Sequence, residues 1–270
     1  MVGRWKPRYI LRIPPVHIQI GPTHVSRLAD HYRNTLAHDL LYLHYSHSHT
    51  TNVPHPPQPD VFDPYQLNRK PASLKGNRPL RPSTAPNSAE RVTRLERIIL
   101  HTMVKEAVTN KNSLTSAAMG FKALSGESYR GGGRSNSLGV QIIQSKSGVA
   151  EFKVRAGLQI STQVELRGEK MWEFVGSLVD FVLPRLREFR GIPMPPPSSS
   201  STSPSAISGV VAFGLPPTAM SLFPQIEVNV DAYSRLHGMH IHFCTNARGK
   251  GAQDRARALL SGLRIPFVRG

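Results

Sequence analysis

The sequence predicts an α+β fold: a mainly antiparallel sheet with helices packed on one face, an irregular N-terminal arm and a Pro/Ser-rich inserted loop. Three observations carry this. Short strand-like runs and amphipathic helical stretches follow one another in the order strand, helix, strands, helix, strand, strand, helix. Phe152 to Leu166 keeps a period of two along its whole length. And 23 prolines among 270 residues, many gathered with Ser and His, remove much of the chain from any core, which leaves one globular domain with extensions.

Residues 1–25 read as a basic extension. The first acidic residue is Asp30, and Arg4, Lys6, Arg8, Arg12 and Arg27 precede it. Such a start resembles an organelle transit peptide. Pro7, Pro14 and Pro15 would break the amphipathic helix that peptide needs, so a tail threading into RNA is an equal reading. Residues 26–45 read as a helix, with Leu28, Tyr32, Leu36 and Leu40 at near-helical spacing and Ser26 as its N-cap. Residues 46–90 are rich in Pro and basic residues and read as an extended arm. The histidines between His44 and Pro59 lack Cys and carboxylate companions, so no metal site is assigned to them.

The folded domain is expected over 91–270. "RVTRLERIILHTMV" fits a strand. "NSLTSAAMGFKALSG" fits a helix with Leu114, Ala117, Ala118, Phe121 and Leu124 on its apolar side and Gly126 as its stop. "GESYRGGGRSNSLG" is a loop whose glycines match no phosphate-binding fingerprint. In the period-two run, Phe152, Val154, Ala156, Leu158, Ile160, Thr162, Val164 and Leu166 form a core face, and Gly157 marks a bend. Met171, Trp172, Val175, Leu178, Val179, Val182 and Leu183 make a helical apolar stripe, ended or kinked at Pro184. Glu169 and Glu173 look like paired catalytic carboxylates, but no neighbour is evident that would tune either one. They read as helix-start electrostatics after a turn at Gly168. Residues 193–208 are low complexity, with too few apolar side chains to fold alone. "GVVAFGL" and "GMHIHFCTN" read as strands and "QDRARALLSGL" as a final helix.

The net charge is +17. A chain this basic favours a polyanionic partner, nucleic acid first and an acidic membrane surface second. Its one cysteine, Cys244, excludes a disulfide framework and a CxxC zinc site, and it reads as a buried small hydrophobe. No apolar run approaches the roughly 20 residues of a membrane span.

"FKVRAG", "LRGEKMWEF", "PRLREFRG", "LFPQIE" and "RIPFVRG" occur in this order. Together they resemble the bacterial-type fifth protein of the large ribosomal subunit, the L-five family of the central protuberance. The resemblance covers 26–45 weakly and 91–270 well, and excludes the arm and the insertion. It implies a structural role with no catalytic residue, cofactor or metal. Such proteins bind 5S rRNA and nearby large-subunit rRNA through one sheet face, and meet a small-subunit protein across an inter-subunit bridge. A loop of theirs approaches the peptidyl-site tRNA. Here that loop is "QSKSGVAEFKVR", with Lys146, Lys153 and Arg155 on basic family positions. Ser147 replaces a usual Lys and Glu151 a usual Gly, which weakens the expected tRNA contact. Lys146, Lys153, Arg155, Arg167, Arg185, Arg187 and Arg190 are the residues expected to face RNA. The ordinary alternative for each is a solvated charge, and Arg167 could pair with Glu165 or Glu169.

The family contacts 5S rRNA through an Asn, a Gln and a Thr. The matching positions here are His101, Glu127 and Glu165. A carboxylate is repelled by phosphate and cannot donate the lost hydrogen bond, so the usual 5S rRNA contact is not expected. Mitochondrial ribosomes of several lineages, fungi among them, lack 5S rRNA but keep this protein. The resemblance therefore points to a mitochondrial, fungal-type version in the matrix, with mitochondrial ribosomal proteins of the central protuberance filling the vacated space. The alternatives are a chloroplast or bacterial homologue that keeps 5S rRNA, a free RNA-binding assembly factor, or an enzyme. For an enzyme, the sequence offers no nucleophile–base pair or metal triad.

Overall fold

The computed structural model describes residues 25–45, 91–128, 138–187, 189–194, 204–249 and 251–269. The basic extension through residue 24, the arm over 46–90, the glycine run and the middle of the Pro/Ser insertion lie outside these. The described strands are β1 (Leu95–Met103), β2 (Val140–Gln144), β3 (Gln159–Leu166), β4 (Ile192–Met194), β5 (Val210–Leu215), β6 (Met239–Thr245) and β7 (Phe267–Arg269). Five of them form one antiparallel sheet in the order β2-β3-β1-β6-β5, and β4 pairs with β7 in a small parallel ladder.

Alternation decides which face is buried. Leu100 lies opposite Val164 on one side and Ile241 on the other, and Val140 and Phe213 continue that row to the two edges. Branched and aromatic side chains suit this pleated, covered surface. The helices close over it. Helix α1 covers 27–43 (Arg27–His31, a π-turn Tyr32–Leu36, then Ala37–Leu43), and α2 is Lys111–Ser125. Helix α3 covers 169–185 (Glu169–Ser177, a π-turn Leu178–Val182, then Leu183–Arg185). Short helices α4 (Pro204–Ser208), α5 (Pro217–Met220) and α6 (Pro224–Glu227) precede α7 (Ala252–Gly262). Leu36, Phe121, Val175 and Leu259, one from each long helix, share a single core with Leu100, Val164 and Phe243. Among the described residues no helix is long and apolar enough to cross a membrane.

The helix ends follow from local chemistry. Asn110 caps α2 by accepting the backbone N–H of Asn112 at 2.9 Å, and Gly126 closes it in the left-handed region. The ammonium of Lys170 donates to the carbonyls of Ser125 and Gly126 at 3.3 and 2.8 Å, placing a cation on the negative end of α2. At the start of α3, Gly168 adopts φ 62° and ψ −136°, a turn closed to residues with a Cβ. Met171 and Trp172 are buried, while Glu169 and Glu173 are exposed, as a helix start requires. Pro184 does not stop α3 where it stands. A proline cannot donate to the preceding turn, and the helix widens into a π-turn just before it and runs on to Arg185.

Several expectations need correction. The strand expected from Phe152 begins at Gln159, because 145–158 leave the sheet as a hairpin. Ser26 precedes α1 but makes no capping bond. Pro193 and Met194 belong not to the low-complexity insertion but to β4, where a proline is tolerated on a short edge strand. The far end of that insertion forms α4 and packs on α7.

Candidate nucleic-acid interface

The uncovered face of the sheet is built by the other half of the alternation. Gln141, Gln163, His101, His240 and Gly214 lie in register across all five strands, and Glu165, Ile99, His242 and Ala212 form the next row. Two of the three departures, His101 and Glu165, therefore sit on this face in adjacent rows. Glu127 does not join them. It follows α2 and its side chain is fully buried, so it presents no carboxylate to a ligand there.

Glu165 is not a bare charge. Its Oε1 accepts from Arg97 at 3.2 Å and from the Nε of Arg167 at 2.6 Å, with the carboxylate side chain 13% exposed. Two guanidiniums on one carboxylate leave the cluster net positive. The repulsion expected of a lone glutamate is thus answered by its neighbours. Arg97 is not among the basic residues the sequence singles out. Its signal is the period of two, since Arg97, Ile99 and His101 share a face, but the register that brings it to Glu165 comes from the fold. Arg97 also bonds the thiol of Cys244, which burial pushes up despite the neighbouring cation.

Two histidines of this face, His101 and His242, are shifted toward the neutral form. Burial lowers His101 below its ordinary value of 6.5, and repulsion from His240 and His242 adds to it. Burial likewise lowers His242, aided by His240. The His101 and His240 rings stack at 6.3 Å. With folded values below the unfolded ones, the unfolded chain takes up protons first as pH falls. Stability is therefore fully present above the ordinary value and declines below it. Denaturant midpoints should fall as pH drops from about 7 to about 5. His44 and His237 are lowered by burial as well, so the double change His101→Gln and His242→Gln should make that part of the profile shallower without abolishing it, and an unchanged profile would refute the assignment.

The expected RNA-facing residues fall into three places. Lys146, Lys153 and Arg155 are exposed on the hairpin between β2 and β3. That hairpin is clamped at its base, where Ser145 donates to Leu158 at 2.8 Å and Gly157 to Ser145 at 2.9 Å. Arg167 stands at the end of β3 on the Glu165 cluster. Arg185, Arg187 and Arg190 belong to the helix layer, beyond the sheet's covered side. Arg185 makes a two-pronged bond to Glu227 at 2.7 and 2.6 Å, while Arg187 and Arg190 are exposed. Phe189, between them, packs on Phe213 at 6.1 Å. Among the described residues no group of three or more His, Cys, Asp or Glu could hold a metal ion.

The structure thus presents an open sheet face, a basic hairpin beside it and a helix layer behind. Residues 159–267 match the C-terminus of the ribosomal L-five protein family. The chain is 32% identical over 93% of its length to the large ribosomal subunit protein uL5m of Schizosaccharomyces pombe, covering 82% of that protein. It is 34% identical over 67% of its length to the uL5 protein of Idiomarina loihiensis, covering 87% of it. It is 32% identical over 66% to the uL5 protein of Symbiobacterium thermophilum, covering 84% of it. The chain belongs to the uL5 family of large ribosomal subunit proteins, in its mitochondrial form.

Proposed function

We propose that this chain is a structural, non-catalytic constituent of the mitochondrial large ribosomal subunit in the matrix, where it binds large-subunit rRNA at the central protuberance. The observation that carries this is the match to the fission-yeast uL5m protein over 93% of the chain. Mitochondrial ribosomal proteins flank it there, a small-subunit protein meets it across the bridge, and the hairpin over 145–158 reaches the peptidyl-site tRNA. The chemistry is phosphate neutralisation and shape recognition, not base reading. Lys146, Lys153, Arg155, Arg167, Arg185, Arg187 and Arg190 are the cations proposed for it. The reading that this sheet face does not hold 5S rRNA in the family's usual way rests on residue identity, with His101 and Glu165 standing where the family has Asn and Thr, and not on charge repulsion, which Arg97 and Arg167 offset.

Sedimentation tests this reading. A tagged chain should travel with the mitochondrial large subunit through a high-salt gradient, and those particles should lack 5S rRNA. Release to the top of the gradient would select the free assembly factor instead. A particle map with 5S rRNA against Gln163 and Glu165 would overturn the 5S part alone.

A further inference from the structure

Phe152 is 73% exposed. It stands at the tip of the hairpin over 145–158, not in a core, and the tip is well built. Val149 and Val154 exchange both backbone hydrogen bonds, at 2.9 and 3.1 Å, and the N–H of Lys153 closes the turn on the carbonyl of Ala150 at 3.0 Å. Lys153 takes φ 55°, the left-handed residue that lets the chain re-enter its own ladder. Ala150, Glu151, Phe152 and Lys153 are all exposed, so the fold holds the large aromatic ring out into solvent.

The surroundings identify the chemistry the ring suits. Lys146, Lys153 and Arg155 share this hairpin and are exposed, against one carboxylate, Glu151. An apolar pocket on a protein partner has use for the ring but not for the cations around it. RNA uses both: an unpaired or terminal base offers a flat face to an aromatic side chain, and the neighbouring phosphates take the cations. We propose that Phe152 stacks on an exposed nucleobase of an RNA, with Lys153 and Arg155 on the adjacent phosphates. This rests on the reading of the hairpin as RNA-facing and adds what kind of contact it makes. The ring supplies the part of the affinity that salt does not screen; the cations supply the part that it does.

The test uses the full chain and two labelled probes, a deacylated tRNA and a transcript of the mitochondrial large-subunit rRNA, titrated at several salt concentrations. Phe152→Ala should weaken binding to one of them roughly tenfold at every salt concentration. Phe152→Trp should restore it, and Phe152→Leu should not. Lys153→Ala should lower the salt slope by about 1, a change Phe152→Ala should not make. Wild-type binding by Phe152→Ala or Phe152→Leu, with the Lys153→Ala effect intact, would overturn the stacking inference and leave the RNA-facing hairpin standing. Binding to neither RNA, or binding indifferent to Phe152, Lys153 and Arg155 alike, would overturn both.

Discussion

Phe243→Ala is expected to lower the unfolding free energy by about 3–5 kcal/mol, the range for emptying a packed aromatic site. Phe243 is 0% exposed in the middle of β6. Its ring stacks on Phe213 of β5 at 5.9 Å, and Phe213 meets Phe189 at 6.1 Å. Removing the first ring takes the support from this series, not only from one site. The core is close-packed, so the walls refill the cavity only in part. Urea denaturation followed by circular dichroism measures the loss, and a drop under about 1 kcal/mol would show that the ring is not the pillar described. The outer end of the series lies between Arg187 and Arg190. The same variant should therefore loosen that loop, visible as faster amide exchange at Arg190 than a general loss of stability explains.

Gly209→Ala is expected to cost roughly 3 kcal/mol, combining a left-handed backbone with forced overpacking. Gly209 has φ 64°. A Cβ there would press into the carbonyl of Ala247, which is backbone and cannot swing aside. Its own carbonyl accepts the hydroxyl of Thr245 at 2.7 Å, so any shift of the strand start also breaks that bond. Gly176→Ala is the matched control. Gly176 lies inside α3, and an added Cβ meets nothing within 4 Å. It should stabilise by about 0.4–1 kcal/mol through the lost freedom of the unfolded chain. Equal midpoints for the two variants would mean that the turn into β5 is looser than its geometry states.

Local pattern made a good part of this fold legible. The stripe from Met171 to Leu183 and the stop at Gly126 follow from spacing and residue type alone, and both are as the sequence predicts. The period-two run was legible only over its second half. Val154, Ala156 and Leu158 alternate with polar residues as a strand would, but the backbone bonds of Ser145 and Gly157 fold that stretch into a hairpin instead. Alternation in the sequence cannot tell the two apart, because it does not say whether a core exists for the apolar residues to face, and here Phe152 and Ala156 are as exposed as their polar neighbours. The candidate interface was harder for a different reason. Glu165 meets Arg97 across a strand boundary, and Arg185 meets Glu227 from a distant helix. Whether a charge is answered or bare depends on partners far along the chain, which no window of sequence contains.

The sheet order puts β1, the earliest strand described, in the middle, with β3 and β6 as its neighbours. Its residue Ile99 waits for Glu165 on one flank and for His242, much later, on the other. Contacts this remote make folding slow, since a long loop must close before either pairing stabilises anything. Until β6 has been synthesised, one side of the central strand is a row of unpaired amides and carbonyls beside hydrophobic residues such as Ile98 and Leu100. That is an open template for pairing with other chains. Products that end before Met239 should therefore aggregate rather than persist as smaller folded proteins, and only a chain that carries β6 closes the edge at the centre of the sheet.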